Sequence, residues 1–212
     1  MELNRIIDHT LLKPESTKAD IQRIVNEAKK FHFATVMVNP YWISFVKPQL
    51  EGTDVLAACV IGFPLGANTK AVKVFETEDA LKNGADEIDM VLNIGELKGG
   101  NDAYVIDEIK AVKKACGSHC LKVIIETCLL SEEEKKRACQ DVIAGGADFV
   151  KTSTGFSTAG ATVEDVRLMK HEVEGTDVLV KAAGGVRNHD DLVAMVEAGA
   201  SRIGTSRGTD LF

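Results

Sequence analysis

Two lysines stand where lysine is out of place. Asp148-Phe149-Val150-Lys151-Thr152-Ser153-Thr154-Gly155 is an apolar run that ends in a lysine and opens into a hydroxyl-rich turn. Val178-Leu179-Val180-Lys181-Ala182-Ala183-Gly184-Gly185 repeats the arrangement thirty residues later. Burial disfavours an ammonium group, and the neutral amine it leaves attacks a carbonyl carbon to form an imine. If both lysines face one cavity, each also disfavours charge on the other, and the two titrate as a pair. The competing reading makes each lysine the polar end of a strand, reaching to solvent.

A carboxylate accompanies them. In Glu87-Ile88-Asp89-Met90-Val91-Leu92, strand alternation puts Glu87, Asp89 and Val91 on one face. A buried Asp89 requires a cation beside it or a proton-transfer role, and both readings stay open. Gly184-Gly185 and Gly204-Thr205-Ser206 follow the last two apolar runs, and Gly155 follows Lys151. Glycine lets backbone N–H groups approach an anion, so these loops are candidates for holding phosphate; plain turn chemistry is the alternative. His9, His32, His119, His171 and His189 show no triad or ligand spacing. Cys116-Gly117-Ser118-His119-Cys120 lacks a second paired ligand group and reads as a surface loop, not a metal site.

Such residues need rigid elements under them. Short Val/Ile/Leu/Ala runs alternate with helical stretches along the chain. The patterns predict strands near 6–9, 34–38, 55–61, 87–92, 121–126, 148–152, 178–182 and 202–204. Helices fill the intervals: from Thr17 to about Lys30, from Pro40 through Val46, from Asn68 to Lys82, and over Asp102–Ala115. Ser131 with Glu134 is a capping box for the next; Thr162 and Asn188 cap the last two. Asn83-Gly84-Ala85-Asp86, Gly145-Gly146-Ala147-Asp148 and Ala198-Gly199-Ala200-Ser201 each close a helix before a strand. The hexapeptide Glu51–Leu56 recurs identically at Glu174–Leu179. Repeated joints mean repeated units.

Eight strands with helices between them in 212 residues predict one domain over residues 1–212, a single (β/α)8 TIM barrel. A doubly wound open sheet is the alternative, but no Gly-x-Gly-x-x-Gly follows the first strand. Only Thr205–Phe212 follow the eighth strand, so the final helix is short or truncated. In such a barrel the active face is built from the strands' C-terminal ends. Those ends supply Asp8, Asn39, Asp89, Asn93, Glu126, Lys151, Thr152, Lys181, Gly184, Gly185, Gly204 and Ser206.

The totals narrow the partners. A net charge of −7 argues against nucleic acid but leaves room for a small anion held locally. No stretch reaches the roughly 18 apolar residues of a membrane span. Five cysteines with no signal peptide predict reduced thiols and a cytoplasmic protein.

Taken together, Ile7-Asp8-His9-Thr10-Leu11-Leu12-Lys13-Pro14, Val60–Gly66, Glu87–Val91, Lys122–Thr127, Phe149–Phe156 and Val180–Arg187 closely resemble the deoxyribose-phosphate aldolase family. The resemblance runs in order over nearly the whole chain. It implies that Lys151 is the Schiff-base nucleophile and that Lys181 lowers its pKa and relays protons. It implies that Asp89 is the proton donor and acceptor, working through a water. It places Gly155, Gly184, Gly185, Gly204 and Ser206 at the phosphate. The implied reaction is reversible cleavage of 2-deoxy-D-ribose 5-phosphate to D-glyceraldehyde 3-phosphate and acetaldehyde, with no metal or organic cofactor. Met37 stands where the family often has cysteine, and Arg207 where a second serine is common. A homo-oligomer, dimer or tetramer, is left open. A barrel aldolase or transaldolase for another sugar phosphate, and a non-catalytic phosphate-binding barrel, are the competing readings.

Overall fold

The computed structural model describes residues 2–212. Eight parallel strands pair in chain order and close into a barrel, β8 returning to β1. The strands are β1 (Ile7–Leu11), β2 (Thr35–Val38), β3 (Leu56–Ile61), β4 (Glu87–Val91), β5 (Cys120–Ile124), β6 (Phe149–Lys151), β7 (Leu179–Ala183) and β8 (Arg202–Thr205). Around them run α1 (Lys18–Phe31), α2 (Ile43–Leu50), α3 (Lys70–Lys82) and α4 (Ile94–Lys98). The circuit continues with α5 (Asp102–Cys116), α6 (Glu132–Gly145), α7 (Val163–Glu172) and α8 (His189–Glu197). The (β/α)8 expectation holds, and after β8 the chain makes a single 3-10 turn, Gly208–Leu211.

The helix starts come from side-chain capping. Thr17 accepts from the Asp20 amide while Asp20 reaches back to the Thr17 amide, and Ser131 with Glu134 does the same for α6. Each box satisfies donors that the first turn leaves without partners. Thr162 and Asn188 cap α7 and α8 as expected. Among the strands, β1 runs on to Leu11 and β5 stops at Ile124, short of Glu126; among the helices the differences are these. The cap of α3 is Thr69, one residue past Asn68. Pro40 opens a 3-10 turn, Pro40–Trp42, and α2 then runs on past Val46 to Leu50 with Pro48 inside it. The five-residue α4 is absent from the sequence expectation, being too short to show a helical period.

The repeated hexapeptide forms the same turn twice. Thr53 Oγ1 donates to Leu50 O and accepts from Val55 N; Thr176 Oγ1 donates to Val173 O and accepts from Val178 N. Gly52 and Gly175 take φ of 75° and 79°, a left-handed conformation open to glycine at little cost. Each copy delivers the chain to a strand start by an identical route.

Packing divides into two layers. Between strands and helices lies a continuous apolar shell that includes Ile7, Val36, Ile88, Met90, Val123, Val150 and Val180. Inside the barrel Leu12, Met37, Ala58 and Val60 pack together in an apolar cluster, and Phe149 lies against Lys122 and Arg202. Met37 is thus a fully buried filler of β2. Beside this cluster the interior carries charge, with Asp8, Glu87, Asp89, Lys122, Lys151 and Lys181 all buried. Behind the wall, Lys73 of α3 pairs with Glu108 of α5 at 2.9 Å and donates to Val91 O. Glu108 accepts from Asn93 N, so this buried pair fixes the C-terminal end of β4. Among the described residues no helix is long and apolar enough to cross a membrane.

Candidate active site

The charged interior is a closed circuit. Asp8 pairs with Lys181, and Lys181 with Asp89 at 2.7 Å. Asp89 pairs with Lys122 at 3.1 Å, and Lys122 with Glu87 at 2.5 Å. Glu87 pairs with Arg202 at 3.2 Å, and Arg202 returns to Asp8 at 2.9 Å. Three carboxylates and three cations alternate around this ring, so its net charge is zero. The partners come from β1, β4, β5, β7 and β8, and strand register brings them together. Lys122 is the register partner of Asp89, and Arg202 of Lys181. Thr35 Oγ1 donates to the remaining capacity of Asp8 at 2.9 Å.

Lys151 is the cation outside the ring. It is the register partner of Lys181 and reaches Asp89 Oδ2 at 2.7 Å. Each ring cation has two carboxylates; Lys151 has one. Its amine is pushed down to about 8, first by burial and then by Lys181, against the opposing pull of Asp89. Burial alone would raise the Asp89 carboxyl, but Lys122, Lys151 and Lys181 outweigh it and hold it well below the usual carboxylate range. Burial likewise opposes ionisation of Asp8, and Lys181 with Arg202 keeps it ionised. Despite burial, Asp89, Asp8 and Glu87 hold Lys122 firmly protonated, and Asp8 with Glu87 does the same for Arg202.

Above this layer lies a cavity of about 340 Å³ at the C-terminal ends of the strands. Among the described residues of the charged interior, only Lys151 lines it. Gly155, Gly184, Gly185, Gly204 and Ser206 line it too. Gly155 and Gly185 take φ of 83° and 87°, and a Cβ on either would meet no atom within 4 Å. Their backbone conformation, not crowding, demands glycine there. Gly204 is different: a Cβ would come within 3.2 Å of Lys181 Cε and 3.1 Å of Ala183 Cβ. Its small size makes room for the Lys181 side chain.

The strand-end residues thus separate into three groups. Lys151 and the glycine-rich rim face the cavity; Asp8, Asp89 and Lys181 lie beneath it, fully buried. The others are bonded into the scaffold. Asn39 donates to Leu12 O, Asn93 caps α4, and Thr152 braces β6 to β7 through Ala183. Glu126, at a φ of 56°, accepts from the Thr154 amide and hydroxyl and so fixes the loop after Lys151. His9 is buried against Glu27, at 2.6 Å, in a structural role. The thiols of Cys116 and Cys120 are pushed up to about 12 and about 11 by burial.

Sequence reasoning passes over Lys122 and Arg202. Lys122 is open to the argument used for the other two lysines, since Leu121-Lys122-Val123 also interrupts an apolar strand. Arg202 stands at the first position of β8 and reads as an ordinary strand edge. Lys13, Arg187 and Arg207 also line the cavity and give its mouth a positive rim.

A family model described as DeoC/LacD family aldolase matches residues 4–211. A deoxyribose-phosphate aldolase of Streptococcus mutans is 58% identical over 211 residues, covering 100% of this chain and 96% of that protein. One from Streptococcus suis is 58% identical over 208 residues, with coverage of 98% and 94%. Among solved structures, QR15, an aldolase, superposes with a TM-score of 0.94 at 41% identity, covering 99% of this chain and 93% of that one. The tetrameric deoxyribose phosphate aldolase of Aeropyrum pernix gives a TM-score of 0.92 at 33% identity, with coverage of 99% and 88%.

Proposed function

This chain belongs to the DeoC/LacD family of aldolases, and on that premise we propose that it cleaves 2-deoxy-D-ribose 5-phosphate reversibly to D-glyceraldehyde 3-phosphate and acetaldehyde. The observation that carries the reading is the position of Lys151. Among the described residues it is the one interior amine that reaches the cavity, and its pKa, pushed down to about 8, gives it a usable neutral fraction at neutral pH.

The neutral Lys151 amine adds to C1 of the open-chain aldehyde. The carbinolamine loses its hydroxyl as water and becomes a protonated imine, an electron sink next to C2. A base then takes the proton of the C3 hydroxyl. The C2–C3 bond breaks, its electrons pass into the enamine, and glyceraldehyde 3-phosphate departs. Protonation of the enamine at C2 and hydrolysis release acetaldehyde and restore the amine. Asp89 and Lys181, both joined to Lys151 through one carboxylate, are assigned these proton transfers. Asp89 rests ionised, so between transfers it holds both lysines in place, and it accepts a proton only transiently as it passes it on. The imine is itself the electron sink, so the reaction as written calls on no metal or organic cofactor.

The glycines at 155, 184, 185 and 204, with Ser206, are assigned the phosphate, the positive rim adding attraction. Anchoring the far end of the sugar orients the reacting carbons over Lys151. The same reading makes the protein a cytoplasmic enzyme. Its assembly, dimer or tetramer, follows the precedent of the tetrameric relative.

The test is borohydride trapping with 2-deoxyribose 5-phosphate, followed by peptide mass mapping. A reduced adduct on Lys151 is expected. An adduct on Lys181 would exchange the lysine roles. Bound substrate with no adduct would replace the aldolase reading by that of a binding barrel.

A further inference from the structure

The ring of ion pairs raises a question that the reaction alone does not answer. Lys122, Lys151 and Lys181 all sit in the same buried interior, yet one of them must give up its proton first. Lys122 sits between Glu87 and Asp89, Lys181 between Asp8 and Asp89, and Arg202 between Asp8 and Glu87. Lys151 shares only Asp89. The ring closes at zero net charge, so the one surplus positive charge of this network falls on Lys151. A deprotonated Lys151 therefore leaves the ring and Lys151 together neutral.

We propose that Arg202 and Glu87 are positioning residues whose pairing keeps the ring neutral and thereby selects Lys151 as the interior lysine that carries the free amine. Neither residue lines the cavity, so neither touches a ligand there. They act through Asp8, Lys122 and Asp89. The inference rests on Lys151 being the imine-forming amine. Other titratable groups nearby do not upset the count. Cys59 and Cys120 are thiols that burial keeps protonated. Glu126 lies past the end of β5 and is bonded to Thr154 but to no member of the ring, while Lys13, Arg187 and Arg207 stand on loops at the cavity wall; all four are the same in every variant compared below.

The charge count makes predictions of opposite sign. Removing the Arg202 charge leaves the ring at −1, and Lys151 then holds its proton to higher pH. Removing the Glu87 charge leaves it at +1, and Lys151 releases its proton at lower pH. A merely structural role would not move the two variants in opposite directions.

The experiment is pulse acetylation with acetic anhydride across a pH series, with peptide mass mapping of Lys151. It reads the neutral amine directly and needs no turnover. Arg202→Met should move the Lys151 midpoint up by about one pH unit, roughly a tenfold loss of labelling below the midpoint. Glu87→Gln should move it down by a similar amount, and Arg202→Lys should restore the wild-type curve. The double variant Arg202→Met with Glu87→Gln should return close to it. Shifts of the same sign, or unmoved midpoints in folded variants, would overturn the proposal. Should Arg202→Met fail to fold, the isosteric Glu87→Gln decides by itself: a downward shift supports the proposal, and no shift or an upward one overturns it. A wild-type Lys151 that titrates like an exposed lysine would instead sink the aldolase reading on which this rests.

Discussion

Lys151 and Lys181 are register partners on neighbouring strands, and both reach the same oxygen of Asp89 at 2.7 Å. Sharing the oxygen does not make them equal. Lys181 has Asp8 as a second partner and is sealed from the cavity, whereas Lys151 has no other carboxylate and opens onto it. A pair of adjacent lysines is thereby divided into one held between two carboxylates beneath the cavity and one that opens onto it.

That division sets the pH profile. Imine formation requires the neutral amine, and the Lys151 amine is pushed down to about 8. The kcat/KM for cleavage should therefore rise with pH and level off above about 8. A rate already flat from pH 6 upward would contradict the assignment.

Removing the amine should separate activity from stability. Lys151→Met should lower turnover by about 10⁴-fold or more, the scale on which loss of a covalent nucleophile acts. Stability should move the other way at neutral pH. The unfolded lysine titrates near 10.5 and the folded one near 8, so the unfolded chain binds the extra proton between those values. The resulting penalty, about 3 kcal/mol, is complete below the folded pKa and is relieved as pH rises from 8 to 10.5. Urea unfolding should show the variant more stable than wild type at pH 7, with the gain fading by pH 10.5. A variant less stable at pH 7 would refute this.

The phosphate loop can be tested apart from the amine. Gly185 has a φ of 87° with free space around it, so Gly185→Ala adds backbone strain of about 1–2 kcal/mol and no clash. The loop should shift to relieve that strain. KM for the phosphorylated sugar should rise about tenfold, the equivalent of roughly 1.4 kcal/mol. Cleavage of unphosphorylated 2-deoxyribose should hardly change. Equal losses on both substrates would move Gly185 out of the phosphate site.

A second pH effect lies outside the site. Asp141 of α6 is buried, its Oδ2 has no hydrogen-bond partner, and burial together with Asp102 pushes its carboxyl up to about 7. Between the ordinary value of 3.8 and 7 the folded state binds the extra proton, so stability drains away as pH rises through that window. Asp141→Asn should raise the melting temperature at pH 8 and leave it nearly unchanged at pH 4. A stabilisation of equal size at both pH values would show that the charge is not the cause.

How legible each feature is in the sequence depends on how local it is. Lys151, Lys181 and Asp89 interrupt apolar strands, and a charge in such a place shows within a few residues. The helix caps are equally local, so Thr17, Ser131, Thr162 and Asn188 can be read directly. The ring cannot, because its contacts join Asp8 to Arg202 and Glu87 to Arg202 across closure of the barrel, 194 and 115 residues apart. Gly204 reads as a phosphate contact from its loop position, yet its crowding against Lys181 depends on β7 and β8 lying side by side. Asn39 and Asn93 look like site residues because they end strands. Their side chains are used instead for the turn beside Leu12 and the start of α4.

Lys151, Lys181 and Asp89 stand on strands, and the glycine turns at 155, 184 and 185 belong to loops. The amine is tuned by groups that move only if the barrel itself moves, while the wall that meets the far end of the substrate can be rebuilt loop by loop. On the proposed reaction, substrate range and reactivity are thus separable: exchanging loop sequences should change the acceptor aldehyde and leave the tuning of the Lys151 amine as it is.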